Sequence, residues 1–360
     1  MESSQQDLLR LHLTPGLGRV ALLKLLRHFG DFTAPLYAPP QHWRAAGVTD
    51  KLYRKVMAEN DPRYQKTLLQ LDTLNVQLIG FNDDNYPQIL REIHDPPALL
   101  YVRGTLPTND CLAIVGSRLA TPTGLTLTRE LAATLARHNI CIVSGLARGV
   151  DSAAHSGALD VNGATIAVLG CGIDRVYPPE NSKLFLQIPI NNAIITEYPP
   201  GTPPLAGHFP GRNRIISGLS RGVLIVEAAE KSGSLITGDF ALEQGREVFA
   251  IPGGLHQANS KGTNRLLKEG AQLVTEAQDI IRTLWPDRPT IKQQIKQDDF
   301  ANQLTAPATK VYQLISYEPR HSDGIARECG LTPMELSAIL LDLELRGGIK
   351  TLPGNNYIRS

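Results

Sequence analysis

Six short aliphatic runs, Leu112–Val115, Ile140–Val143, Thr165–Leu169, Ala193–Thr196, Val223–Val226 and Val248–Ile251, alternate with segments long enough to form helices. Runs this apolar have no polar face to offer water. They therefore read as strands buried on both sides, and a helix-length crossover between consecutive strands makes them parallel. The expected fold class is α/β, an extended Rossmann-like, doubly wound parallel sheet. Ligands in such sheets bind beyond the carboxyl ends of the strands.

The flanking segments differ in pattern. Residues 1–74 carry apolar clusters at helical spacing, such as Leu8, Leu9 and Leu11, then Leu22, Leu23, Leu25, Leu26 and Phe29, which predicts a small helical domain. Within it, Pro15-Gly16-Leu17-Gly18 either lets backbone N–H groups approach a phosphate or turns tightly between two packed helices. Residues 75–285 form the main domain, entered through two strands, Val76–Ile79 and Ala98–Val102. Residues 286–305 are polar and read as a linker. Residues 306–360 contain three helical stretches and two short strands around Pro353-Gly354-Asn355, the pattern of a winged helix.

Composition narrows the function. Thirty-six Lys and Arg face 35 Asp and Glu, so no global basic field holds a polyanion and any nucleic-acid affinity must come from local placement. The four cysteines, Cys111, Cys141, Cys171 and Cys329, lie too far apart for a metal or redox motif. No segment has the length of a membrane span or the layout of a leader. A cytoplasmic protein without metal or membrane attachment is expected.

Four polar turns open into helices at the ends of strands, where free N–H groups and the helix dipole favour anions. The first is Gly116-Ser117-Arg118. The second runs from Ser144 and Gly145 to Asp151, where Asp151 reads as a cap or an arginine partner rather than a catalytic acid. The third, Phe209-Pro210-Gly211-Arg212-Asn213-Arg214, should turn at least one guanidinium toward the open edge of the sheet. The fourth is Ser232-Gly233-Ser234. Tyr177, Phe185, Tyr198 and Phe209 lie beside these turns as possible stacking partners. No Walker motif, dinucleotide fingerprint, nucleophile elbow or zinc-protease motif is present. No catalytic residue and no cofactor are therefore assigned. Several strand-end sites without a cofactor motif suit a ligand that presents phosphates in a row, a single-stranded polynucleotide.

The order of motifs from Asp84-Asn85-Tyr86-Pro87 and Asp95-Pro96-Pro97, through Gly116-Ser117-Arg118, Ser144 to Asp151, Thr165 to Gly170 and Tyr177-Pro178, to Phe209–Ile216 and Ser232–Thr237, closely resembles the DprA/Smf family of DNA-processing proteins. The resemblance covers about residues 80–280. It implies a sterile-alpha-motif-like N-terminal domain, a winged-helix C-terminal domain and a homodimeric recombination mediator. Such a protein binds incoming single-stranded DNA, protects it and loads RecA in natural transformation. It also implies that Arg118, Ser144, Gly145, Arg212 and Arg214 lie in the strand-binding pocket, with Lys183 a nearby phosphate contact. Some relatives carry a lysine directly after the Tyr-Pro pair, where this chain has Pro179.

The third helix of the winged-helix segment, Pro333 to Arg346, carries Glu335, Asp342 and Glu344 against Arg346 alone. An acidic face repels phosphate, so this module is expected to contact protein rather than read duplex DNA. The competing reading is an enzyme related to phosphoribohydrolases, which Ile251-Pro252-Gly253-Gly254 faintly resembles. Gly262-Thr263 follows too late in the chain to complete that loop.

Overall fold

The computed structural model describes residues 3–288 and 304–359. The chain divides into two compact units, Met1–Arg288 and Pro289–Ser360. Most of the linker expected at 286–305 lies outside the described residues.

The first unit is built on a nine-stranded sheet. Its strands are β1 (Val76–Gly80), β2 (Leu99–Gly104), β3 (Cys111–Val115), β4 (Cys141–Ser144), β5 (Thr165–Val168), β6 (Ala193–Thr196), β7 (Gly222–Ile225), β8 (Glu247–Ala250) and β9 (Gln272–Leu273). Their order is β1-β2-β6-β5-β4-β3-β7-β8-β9. The six aliphatic runs became β3 to β8, all parallel. Successive strands wind outward from β3 to β6, and the chain then returns beside β3 as β7, placing the topological switch between β3 and β7.

The alternation of side chains along each strand explains why both faces had to be apolar. Leu112 and Ile114 of β3 join Ile142, Leu224 and Phe249 under the Pro122–Arg137 helix. Ala113 and Val115 point the other way and pack with Val143, Ile166, Val223 and Ile225.

The two entry strands add an antiparallel edge to this parallel sheet, since β1 and β2 pair antiparallel and β2 runs antiparallel to β6, with Tyr101 opposite Thr196. This hairpin extends the sheet on the β6 side. The two-residue strand β9 was not legible in the sequence, since a two-residue segment with both side chains exposed shows no apolar alternation.

The N-terminal helices pack on this extension. Leu8, Leu11, Leu25 and Trp43 share a core with Leu78, Tyr101, Ala167 and Ile194. The helix Arg19–Phe29 ends on Gly30 in the left-handed conformation. Gly16 also has a positive φ of 86°.

The second unit has helices Ala306–Leu314, Ser322–Cys329 and Pro333–Leu345 and a sheet ordered β10 (Arg320–His321), β12 (Asn356–Arg359), β11 (Ile349–Leu352). It is a winged helix around its own core of Val311, Ile315, Ile325, Leu336, Leu340, Leu343 and Ile349. Thr332 and Glu335 form a reciprocal capping box that starts the third helix. Among the described residues, no helix is long and apolar enough to cross a membrane.

Candidate nucleic-acid interface

A shallow cleft opens at the carboxyl ends of β3, β4 and β5, lined by Arg118, Gly145, Arg148, Gly170, Cys171, Tyr177, Pro178, Phe209 and Arg212. The helix His208–Gly218 supplies Phe209 and Arg212. Residues three apart share a helical face, so the ring and the guanidinium enter the cleft together.

Arg212 forms the floor of the site. It is 4 % exposed, and its Nη1 donates to the carbonyls of Gly145, at 2.6 Å, and Val168. Its Nε donates to Asn213 Oδ1 at 3.2 Å, and Asn213 Nδ2 donates in turn to the Gly233 carbonyl. Burial pushes the Arg212 pKa down while the nearby Asp151 charge holds it up. Asp151 mirrors this: burial raises its pKa, and the Arg212 charge together with N–H donation from Ala147 and Gly145 lowers it.

Phe209 is the hub of the opening. The Arg118 guanidinium lies over its ring at 5.5 Å and that of Arg212 at 5.9 Å, and the Tyr177 ring is 5.6 Å away. Gly170 makes room for it, since a Cβ there would meet the ring at 2.9 Å. Arg118 is exposed and, among the described residues, has neither a hydrogen bond nor an ion pair. A planar cation held against an aromatic face and open to solvent can bind a phosphate while the ring stacks on a base.

The other expected residues are placed less uniformly. Gly145 lines the cleft. Ser144 does not: it is fully buried and its hydroxyl donates to the Ile114 carbonyl at 2.7 Å, so it ties β4 to β3 and has nothing left for a ligand. Arg214 also departs from expectation. It is 3 % exposed and its guanidinium is engaged by Glu197 at 2.6 Å and Asp95 at 3.4 Å, because two positions further round the helix it faces the N-terminal side of the unit.

Gly116 serves packing, since a Cβ there would fall 2.7 Å from Val150 Cγ2 and 3.0 Å from the Glu227 carbonyl. Ser117 is buried and accepts the Leu119 N–H. Lys183 is exposed on the helix Ser182–Gln187, outside the cleft lining. Ser232 caps the helix Gly233–Glu243, its hydroxyl 2.8 Å from that of Ser234. Of the neighbouring aromatics, Phe185 is buried in the core, and Tyr198 stacks on His208 at 4.2 Å.

Two of the expected anion cradles are filled by the chain's own carboxylates. At the switch between β3 and β7, Glu227 accepts from Thr121 N at 2.9 Å and Thr121 Oγ1 at 2.5 Å, at the start of the Pro122–Arg137 helix. At the end of β4, Asp151 takes the N–H groups of Gly145 and Ala147. The anion-binding capacity of the rim is therefore carried by guanidinium groups more than by backbone amides. The sequence reading passed over Arg148, Gly170 and Cys171. Gly170 and Cys171 end β5 as the assigned turns end β3 and β4, which was the available signal.

Residues 77–285 match the family model for DNA recombination-mediator protein A, and residues 296–355 match the DprA winged helix domain. The chain belongs to the DprA/Smf family. It is 39 % identical to protein Smf of Escherichia coli over 324 residues, 87 % of this chain and 85 % of that one. Its fold is similar to that of DprA from Streptococcus pneumoniae, with a TM-score of 0.69 and 37 % identity over 79 % of this chain and 99 % of that one. It is also similar to DprA from Helicobacter pylori, with a TM-score of 0.54 and 36 % identity over 59 % of this chain and 98 % of that one. The work on the H. pylori protein describes a single-stranded DNA binding mode. In this chain Pro179 directly follows a cis Tyr177-Pro178 bond, and Arg148, which also lines the cleft, pairs with Glu180 at 2.7 Å.

Proposed function

We propose that this DprA/Smf protein binds single-stranded DNA across the carboxyl edge of its sheet, protects it and passes it to RecA, without catalysing a covalent step. The convergence of Arg118, Tyr177, Phe209 and Arg212 on one cleft carries this reading. Arg118 neutralises a phosphate, the Phe209 and Tyr177 rings receive bases, and Arg212 holds the cleft in shape from beneath. In this reading Lys183, Asn213 and Ser232 to Ser234 extend the path of the strand beyond the cleft, while Ser117 shapes its turn from within. A homodimer acting in the cytoplasm, with RecA as its partner, completes the proposal. The family membership and the single-strand binding described for the H. pylori relative support it.

The test is a salt titration against single- and double-stranded DNA of equal length, with and without RecA. Preference for the single strand, with log K falling by about 0.7 per neutralised phosphate against log salt, and faster RecA nucleation on the bound strand are expected. Equal affinity for both DNA forms would overturn the binding reading. Unchanged RecA nucleation would overturn the loading step alone. Release of free base from AMP or CMP would favour the enzyme reading.

A further inference from the structure

The third helix of the winged-helix unit is apolar on two opposite sides. Leu336, Leu340 and Leu343 face its core. Met334, Ala338, Leu341 and Leu345, at positions i, i+4, i+7 and i+11, form a second stripe on the outer side. All four are exposed, Met334 at 86 %, Leu341 at 58 % and Leu345 at 79 %. The unit has its own closed core and makes no use of this stripe. A straight apolar ridge of this kind on an otherwise solvated helix is an interaction surface.

The flanks of the stripe say what would cover it. Glu335 and Asp342 lie along one side and Ser337 and Glu344 along the other, while Arg346 is held by Asp342 at 2.9 Å. Glu335 is kept in its ionised form by the Thr332 hydroxyl and N–H in the capping box, which lower its pKa. A second copy of this helix would set acidic flank against acidic flank in either direction, and a nucleic acid would set phosphates against it. A helix with its own apolar stripe bordered by lysine or arginine meets both requirements, burying the leucines and pairing the carboxylates.

We infer that the outer face of the helix Pro333–Leu345 docks a basic amphipathic helix of a partner protein, through Met334, Ala338, Leu341 and Leu345. The face that a DNA-reading winged helix turns toward the major groove is here turned to protein. This inference stands apart from single-strand binding in the first unit.

The probe is a synthetic helical peptide of about three heptads, with leucine along one stripe and lysine at both flanks, compared with the same peptide carrying glutamate at the flanks. Binding to the full chain is followed by fluorescence anisotropy at low and high salt. The lysine peptide should bind at least about tenfold more tightly than the glutamate peptide, a difference of about 1.4 kcal/mol, and salt should weaken it. The combined substitution Leu341→Asp and Leu345→Asp should weaken it by about tenfold or more while leaving oligo-dT binding and thermal unfolding of the unit unchanged. Both side chains are exposed, so the core does not depend on them. Equal binding of the two peptides, no binding of either, or no effect of the double substitution would overturn the inference. So would a change of the protein's own association state, or loss of duplex-DNA binding, in the double variant.

Discussion

Gly145 and Arg212 occupy one space between them: a Cβ on Gly145 would fall 2.3 Å from Arg212 Nη1. The glycine is required because a guanidinium lies where a side chain would be. Gly145→Ala should push Arg212 out of line and weaken oligo-dT binding about tenfold, about 1.4 kcal/mol. Gly324→Ala, in the second unit and with nothing within 4 Å of its Cβ position, is the control and should change affinity less than about twofold. Fluorescence anisotropy with labelled oligo-dT measures both, and equal effects would contradict the coupling.

Arg118 has the opposite character, since it is exposed and rests on Phe209 at 5.5 Å. Arg118→Ala should weaken single-strand binding and reduce the log–log salt slope by about 0.7, one phosphate's worth. Arg118→Lys should restore most of the slope but not all of the affinity, because an ammonium lacks the planar stack. An unchanged slope in the alanine variant would remove Arg118 from the strand path.

Arg214 should matter for stability rather than for DNA. Removing its buried partner by Glu197→Gln leaves a guanidinium 3 % exposed with Asp95 at 3.4 Å as its remaining carboxylate. Breaking such a pair costs about 3 kcal/mol. Urea denaturation should show this loss, while oligo-dT affinity of the folded variant stays within about twofold. A large loss of affinity without loss of stability would return Arg214 to the binding site.

One buried and one half-buried imidazole make the first unit acid-sensitive. Burial lowers His12 to about 4 and His155 to about 3, the latter with help from the Arg212 charge. The Thr165 hydroxyl donates to the Ile142 carbonyl, so His155 Nδ1 donates to Thr165 Oγ1 at 2.7 Å and Nε2 is the bare, unpartnered nitrogen. The folded state binds fewer protons than the unfolded chain below the ordinary histidine pKa. Stability is therefore complete above about pH 6.5 and falls as pH drops toward 4 for His12 and 3 for His155, by up to about 1.4 kcal/mol per pH unit for each. His155→Gln should lower the slope of unfolding free energy between pH 4 and 6 by about 1 kcal/mol per unit; an unchanged slope would show that His155 is protonated in the fold.

What could be read in the sequence was whatever local pattern determines. The aliphatic runs became β3 to β8, because a strand buried on both faces must be apolar at every position. The three helices and terminal hairpin of the winged-helix segment followed from helical spacing and turn chemistry. Placement of side chains in the site was legible only in part. Arg212 and Arg214 stand two apart on one helix with the same chemistry, and their sequence context gave no means of separating them. The turn of the helix against the sheet decided it, lodging Arg212 beneath the cleft and giving Arg214 to Glu197 and Asp95. The same holds for the strand-end amides: the turns offered free N–H groups, but only the long-range return of β7 beside β3 brought Glu227 against one of them. Local sequence settles which elements form, whereas the partner of each charge depends on residues far away in the chain, and those meet only in the folded sheet.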